Sequence, residues 1–196
     1  SNLLVCSFVL GVPVQQVSGN ELVLDILTNT LALPAWWDLK NVGACRATAL
    51  GFNITADPNN LICQDWAQGQ SSGGIGAYSS EAGSVGAGSQ AAHRRIKIAL
   101  AVPALTGLQD LLADVEYFSC NVTVNNTKSV GTGLCDGCAD KACIVFNSIK
   151  VTTPTPSNDV IIGDNTFTQN IVTWQGTGLD CQLVPTRNTT WSAASG

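Results

Sequence analysis

Methionine is absent from this sequence, histidine occurs once, and charged residues make up only 12% of its 196 positions. Each shortage excludes something. A single histidine, His93, leaves most general-base and metal chemistry without its commonest residue. Charged residues fall to about half of the quarter usual in soluble domains. The net charge of −5 removes the basic face that nucleic-acid binding needs. No apolar run reaches the ~18 residues of a membrane helix, so no membrane span is expected. The lack of methionine suits an oxidising setting, where its thioether is a liability. A start without methionine fits a processed, exported chain. No serine sits in a nucleophile elbow. The glycine runs Gly73-Gly74-Ile75-Gly76 and Gly83 to Gly88 lead into no Lys-Ser/Thr pair, so they read as loop glycines rather than a phosphate cradle. The expectation is a non-enzyme with no catalytic residue, no metal and no cofactor.

What is present is apolar and rich in sulfur. Apolar residues reach 45%, with 19 glycines and eight cysteines. That is too apolar for disorder and long enough for one domain with its own core. The cysteines are Cys6, Cys45, Cys63, Cys120, Cys135, Cys138, Cys143 and Cys181. An even number spread along an exported chain reads as disulfides. Bridges at about 2–4 kcal/mol each would together rival the net stability of an ordinary domain. Many pairings are open, and Cys45 with Cys63 is the one expected here. The densest cluster, Cys135-Asp136-Gly137-Cys138 followed by Cys143, offers three thiolates. The second CxxC of a zinc ribbon is missing, and a redox CxxC wants a βαβ context. The cluster therefore reads as a disulfide-tied loop.

Alternation of period two dominates the pattern. Ile96, Ile98, Leu100 and Val102 fall on one face of a strand, with Arg95 and Lys97 on the other. From Val115 to Val124, Phe118, Cys120, Val122 and Val124 line one side. From Cys143 to Val151, Val145, Ile149 and Val151 align. Residues 21–28, 45–55, 159–162 and 166–174 are further strand candidates. Turn signals separate them at Asp57-Pro58-Asn59-Asn60, Asn125-Asn126, Pro154-Thr155-Pro156 and Gly163-Asp164-Asn165. Helical spacing is confined to Pro103–Asp114, through Leu105, Leu108, Leu111 and Leu112, and to a turn or two within Leu33–Asn41. The Gly- and Ser-rich stretch 69–88 reads as a long loop. Many short strands and at most one or two short helices predict an all-β fold: a single disulfide-tied β-sandwich, jelly-roll-like.

Within that domain, residues 1–12 stand apart from 13–196. Leu3, Leu4, Val5, Cys6, Phe8, Val9 and Leu10 make a strand that is apolar on both faces, and such a strand must be covered on both. Either it threads its own core, or it is donated as an assembly strand to another copy, where backbone hydrogen bonds supply affinity.

Other residues carry weaker signals. His93, beside Arg94 and Arg95, reads as a surface residue at a strand edge. The five tryptophans, Trp36, Trp37, Trp66, Trp174 and Trp191, read as core or interface packing. Exposed on a sandwich, they would instead suit a carbohydrate-binding, lectin-like module. Trp36 and Trp37 cannot share one strand face, so both sides of that segment are expected to be covered. Asn53, Asn121, Asn125 and Asn188 each open an Asn-x-Ser/Thr sequon and are candidate glycosylation sites. Four is close to what the composition yields by chance.

Several segments also carry a resemblance. They are Leu33-Pro34-Ala35-Trp36-Trp37-Asp38 running into Gly43-Ala44-Cys45-Arg46, Asp65-Trp66-Ala67, Gly73-Gly74-Ile75-Gly76-Ala77-Tyr78, Val124 to Gly133, the Cys135/Cys138/Cys143 cluster, Ile144 to Ser148, Thr173-Trp174-Gln175-Gly176 and Pro185 to Trp191. Together they are similar to a family of exported, uncharacterised proteins of environmental Gram-negative bacteria. Members end in a short basic tail, where this sequence has Ser192 to Gly196. The resemblance implies a jelly-roll-like, secreted subunit of pilus-like fibrils, linked by strand insertion between identical protomers. The expected role is therefore a structural subunit of an extracellular filament whose partners are copies of itself, with glycans as candidate additions. A lectin-like module and a shell subunit are the alternatives.

Overall fold

The computed structural model describes residues 1–56, 63–80, 92–163 and 170–176. The chain is all-β and sandwich-like. Its strands are β1 (Asn2–Val9), β2 (Val14–Val17), β3 (Gly19–Thr28), β4 (Leu50–Asn53), β5 (Gln64–Asp65), β6 (Ser72–Ser79), β7 (His93–Ala101), β8 (Gln109–Leu111), β9 (Glu116–Val124), β10 (Ala142–Thr152), β11 (Val160–Gly163) and β12 (Ile171–Trp174). One sheet runs β1-β9-β4, with β5 added parallel to β9. The larger sheet runs β11-β10-β3-β7-β6, with β12 also on β10. β2 and β8 form a separate two-stranded ribbon. One apolar cluster joins Cys6, Phe8, Cys120 and Val122 of the first sheet to Leu22, Leu24, Ile96, Ile98 and Ile149 of the second. The two sheets therefore pack face to face. Between them, the Ser119 hydroxyl donates to the Asn20 side chain at 3.0 Å.

Alternation places most side chains as the sequence pattern requires. Ile96, Ile98, Leu100 and Val102 are all buried. Bulges in β9 and β10 interrupt the parity of those two strands. In β9, Cys6 faces Cys120 but Ser7 faces Phe118, so Ser119 is the extra residue. The core face then carries Tyr117, Cys120, Val122 and Val124 rather than Phe118. In β10 the register passes from Phe146 to Ser148 and leaves Asn147 extra. Val145 consequently joins Leu27, Cys143 and Ile171 in a second small cluster, apart from Ile149 and Val151. A bulge shifts a period-two pattern by one, which moves side chains to the opposite face.

Two expectations about local structure are corrected. Pro103–Asp114 is not a helix. A turn closed by Gly107 N–H on the Pro103 carbonyl at 2.8 Å leads into β8. Leu105 and Leu112 are exposed while Leu111 is buried, so the leucines share no single face. The loop expected at 69–88 contains β6, which pairs with β7 along Ser72–Ser79. Glycine lets this strand lie close: a Cβ on Gly73 would stand 2.1 Å from the Ala99 carbonyl oxygen. The strand expected across 45–55 is confined to β4, after turns at 44–48. The helical turn expected within Leu33–Asn41 is present as a 3-10 turn at Ala35–Trp37.

Trp36 and Trp37 are both fully buried, as the covering of both sides of that segment requires. Their rings meet edge-on at 4.9 Å, and Trp174 lies 4.8 Å from Trp36. The Arg46 guanidinium stacks 3.5 Å above Trp36 and donates to the Trp36 carbonyl at 2.8 Å. Cys45, next to it, is bonded to Cys135. This replaces the expected Cys45–Cys63 pairing for a topological reason. Cys45 precedes β4, which starts opposite Val124, whereas Cys63 precedes β5 at the Tyr117 end of β9. The two cysteines stand at opposite ends of one strand. The Cys45–Cys135 bond spans 90 residues, a loop whose closure is worth about 4–5 kcal/mol in the chain-entropy account.

Candidate functional site

The segment singled out by its two apolar faces is β1. It pairs antiparallel with β9, from Asn2 opposite Val124 to Val9 opposite Glu116. Among the described residues β9 is its only strand partner, so β1 is a sheet edge. Its faces divide cleanly. Leu4, Cys6, Phe8 and the following Leu10 enter the core. Leu3, Val5 and Val9 point outward and are 58%, 47% and 48% exposed. An edge strand with an apolar outer face is an invitation to pair with another chain unless it is blunted by charge, proline or a bulge. β1 carries neither charge nor proline, and the one bulge in its pairing with β9 lies at Cys6/Ser7, with the extra residue on β9. The connection to β2, Leu10-Gly11-Val12-Pro13, is exposed from Gly11 onward.

Clefts follow the free edge of β1 along its whole length. At its end, Phe8 and Val9 face Phe146 and Ile162 across a space of about 600 Å³. In its middle, Val5 faces Val172 across about 100 Å³. At its start, Leu3 faces Trp174 across about 230 Å³. The walls opposite β1 come from β10, β11 and β12 of the larger sheet. Among the described residues, clefts therefore separate β1 from the facing edge of the larger sheet.

Within the β1–β9 ladder, Cys6 stands directly opposite Cys120. Both are buried and both are free thiols. Hydrogen-bond contact with Cys6, and then burial, push the Cys120 thiol far above its usual range. Cys63 and Cys138 are also free and half-buried. Cys143 is disulfide-bonded. The cluster Cys135/Cys138/Cys143 is thus divided, with Cys135 tied to Cys45 and Cys138 left as a thiol. No three His, Cys, Asp or Glu side chains converge as a metal site among the described residues. No helix among them is long and apolar enough to cross a membrane.

Other singled-out residues are placed as follows. His93 is not a surface residue but fully buried. Its Nε2 lies 2.8 Å from Asp25, and Arg95 and Asn147 also donate to that carboxylate. Sequence reasoning missed this group because His93 and Arg95 look like the charged side of a strand, while their acceptor is far away on β3. Trp66 is buried and Trp174 half-buried, so no exposed tryptophan platform exists among the described residues. Among the sequons, Asn53 is exposed. Asn121 is buried within β9, where a glycan has no room. The Asn125 amide already donates to the Thr48 carbonyl at 3.2 Å. Cys181, Asn188 and Trp191 lie outside the described residues, as do the stretches 57–60, 81–88 and 164–169.

No family model, curated protein or solved structure matches this chain.

Proposed function

We propose that this chain is a structural subunit of an extracellular, pilus-like filament, in which β1 of one copy fills the place beside β9 of the next. One observation carries the reading: β1 is an edge strand whose inner face completes the core while its outer face, Leu3, Val5 and Val9, stays exposed.

The energetics favour a strand that is always docked but not always on its own chain. Removing β1 exposes Leu4, Phe8 and Leu10 and uncovers the core beneath them. At about 1.5–3 kcal/mol per large apolar side chain, an empty place is costly. The β1 of an identical copy restores every contact and every ladder hydrogen bond. Exchange is therefore neutral in contacts within the ladder. Association itself costs roughly 4–15 kcal/mol, and new burial must offset it. Leu3, Val5 and Val9, together with the clefts beside them, are the apolar surface available for that. The short Gly11–Pro13 connection is the hinge, and short hinge loops favour exchange of an element between copies.

A donated strand makes a head-to-tail contact, and such contacts grow open filaments when the rotation does not close. Low charge helps, because identical subunits then repel one another weakly. The Cys45–Cys135 bond and the bonded Cys143 suit an oxidising, extracellular setting. The burial of Trp36, Trp37 and Trp66 weighs against the lectin-like alternative.

The test is electron microscopy of the purified full chain beside a chain lacking residues 1–10. Filaments from the first and none from the second are expected. Filaments of equal length from both would overturn the reading.

A further inference from the structure

Four cysteines remain free among the described residues, and two of them face each other. Cys6 and Cys120 are register partners in an antiparallel ladder. Opposed residues in such a ladder have Cα atoms about 4.5 or 5.5 Å apart, according to the hydrogen-bonding of the pair. Both values fall within the roughly 4.4–6.8 Å that a disulfide accepts. Both cysteines point into the core, so their side chains face the same side of the sheet. Cys63 and Cys138 have no such placement: Cys63 precedes β5, and Cys138 lies in the loop that follows Cys135.

We propose that Cys6 and Cys120 form a disulfide that latches β1 onto β9. In the filament reading above, on which this second step rests, the latch joins one copy covalently to the next.

The chemistry needs an external disulfide as oxidant, such as oxidised glutathione or the disulfide of an oxidase. One thiol loses its proton to solvent and attacks that disulfide. A mixed disulfide forms and one oxidant sulfur leaves as a thiolate. The second cysteine, deprotonated in turn, attacks the protein sulfur of the mixed disulfide. The Cys6–Cys120 bond forms and the second oxidant thiolate leaves. Two protein thiols are oxidised, and one oxidant disulfide is reduced to two thiols.

Timing follows from burial. The thiolate is the reactive form, and the docked strand disfavours it at Cys120. The first attack therefore takes place while β1 is undocked, when both sulfurs are wet and the oxidant has access. The second thiol attacks the mixed disulfide as the strand begins to seat, while its sulfur is still solvated and the oxidant's second thiolate can leave. Docking then buries the finished bond. A strand in transit between copies is reactive, and a seated one is inert.

The experiment unfolds the reduced full chain and refolds it in oxidised glutathione, so that both sulfurs meet the oxidant before β1 docks. It then blocks remaining thiols with iodoacetamide under denaturing conditions and maps linked peptides by mass spectrometry. A peptide joining Cys6 to Cys120, lost in Cys6→Ser, is expected. Cys6 and Cys120 both recovered as alkylated thiols, or linked to other cysteines, would overturn the latch. A non-reducing gel of the same sample reads the second step. A ladder of multimers that collapses on reduction, and is lost in Cys6→Ser, places the bond between copies. The linked peptide with only a monomer band supports the latch within one chain and contradicts strand exchange.

Discussion

Arg95 on β7 donates two hydrogen bonds of 2.8 Å to Asp25 on β3, one to each carboxylate oxygen. His93 adds a third at 2.8 Å, and Asn147, the bulged residue of β10, adds a fourth. Three neighbouring strands of the larger sheet thus converge on one buried carboxylate. Bidentate Arg–carboxylate pairing is among the stronger polar contacts a protein makes.

Replacing that carboxylate strands the groups around it. Asp25→Ala removes the bidentate acceptor of the buried Arg95 guanidinium, and breaking a buried pair of this kind costs about 3–5 kcal/mol. Urea unfolding followed by tryptophan fluorescence checks this: the midpoint should fall sharply with little change in slope. A midpoint within error of the parent would mean that the cluster contributes nothing.

The same group sets a pH dependence. Burial alone raises the Asp25 pKa. The hydrogen bonds from Arg95 and His93, with the positive charge beside them, outweigh burial and hold it below the usual 3.8. As pH falls, the unfolded chain takes up the proton first, so acid favours unfolding. The contribution is fully present above the ordinary carboxylate range and is lost as pH drops through the lower, folded value. The stability gap between the parent chain and Asp25→Asn should narrow as pH falls below about 4. A gap that widens in acid would reverse the sign of this account.

Gly73 tests the unexpected strand. A Cβ there would meet the backbone of β7 at 2.1 Å, which no rotamer change relieves. Gly73→Ala should cost about 1–3 kcal/mol, as overpacking does, while Gly74→Ala, with open space at its Cβ, should cost less. Thermal unfolding of both variants decides it. Equal melting temperatures would mean that β6 is not held against β7 in this register.

Much of this architecture was legible in the sequence because alternation reports burial directly. β7 and β3 stand where the pattern of Ile96, Ile98 and Leu100, and of Leu22 to Thr28, puts them. What alternation cannot report is a bulge, because one extra residue leaves no compositional trace. For that reason Phe118 and Val145 stand apart from the core rows that period-two spacing gives them. β6 escaped because glycine reads as loop, although close approach between strands also selects it. The pairing of Cys45 depended on which end of β9 each loop reaches, a long-range fact. The apolar character of both faces of β1 was legible directly from Leu3 to Leu10. Which face enters the core, Leu4, Cys6 and Phe8, needed the register against Cys120.

The central claim is that the place beside β9 accepts a β1 from outside its own chain. Its most direct measurement is electron microscopy of the full chain assembled with excess synthetic peptide copying residues 2–10. The account predicts that filaments shorten as peptide increases and that the peptide co-purifies with the shortened ends. Filament lengths unaffected by the peptide, with none of it retained, would contradict the account.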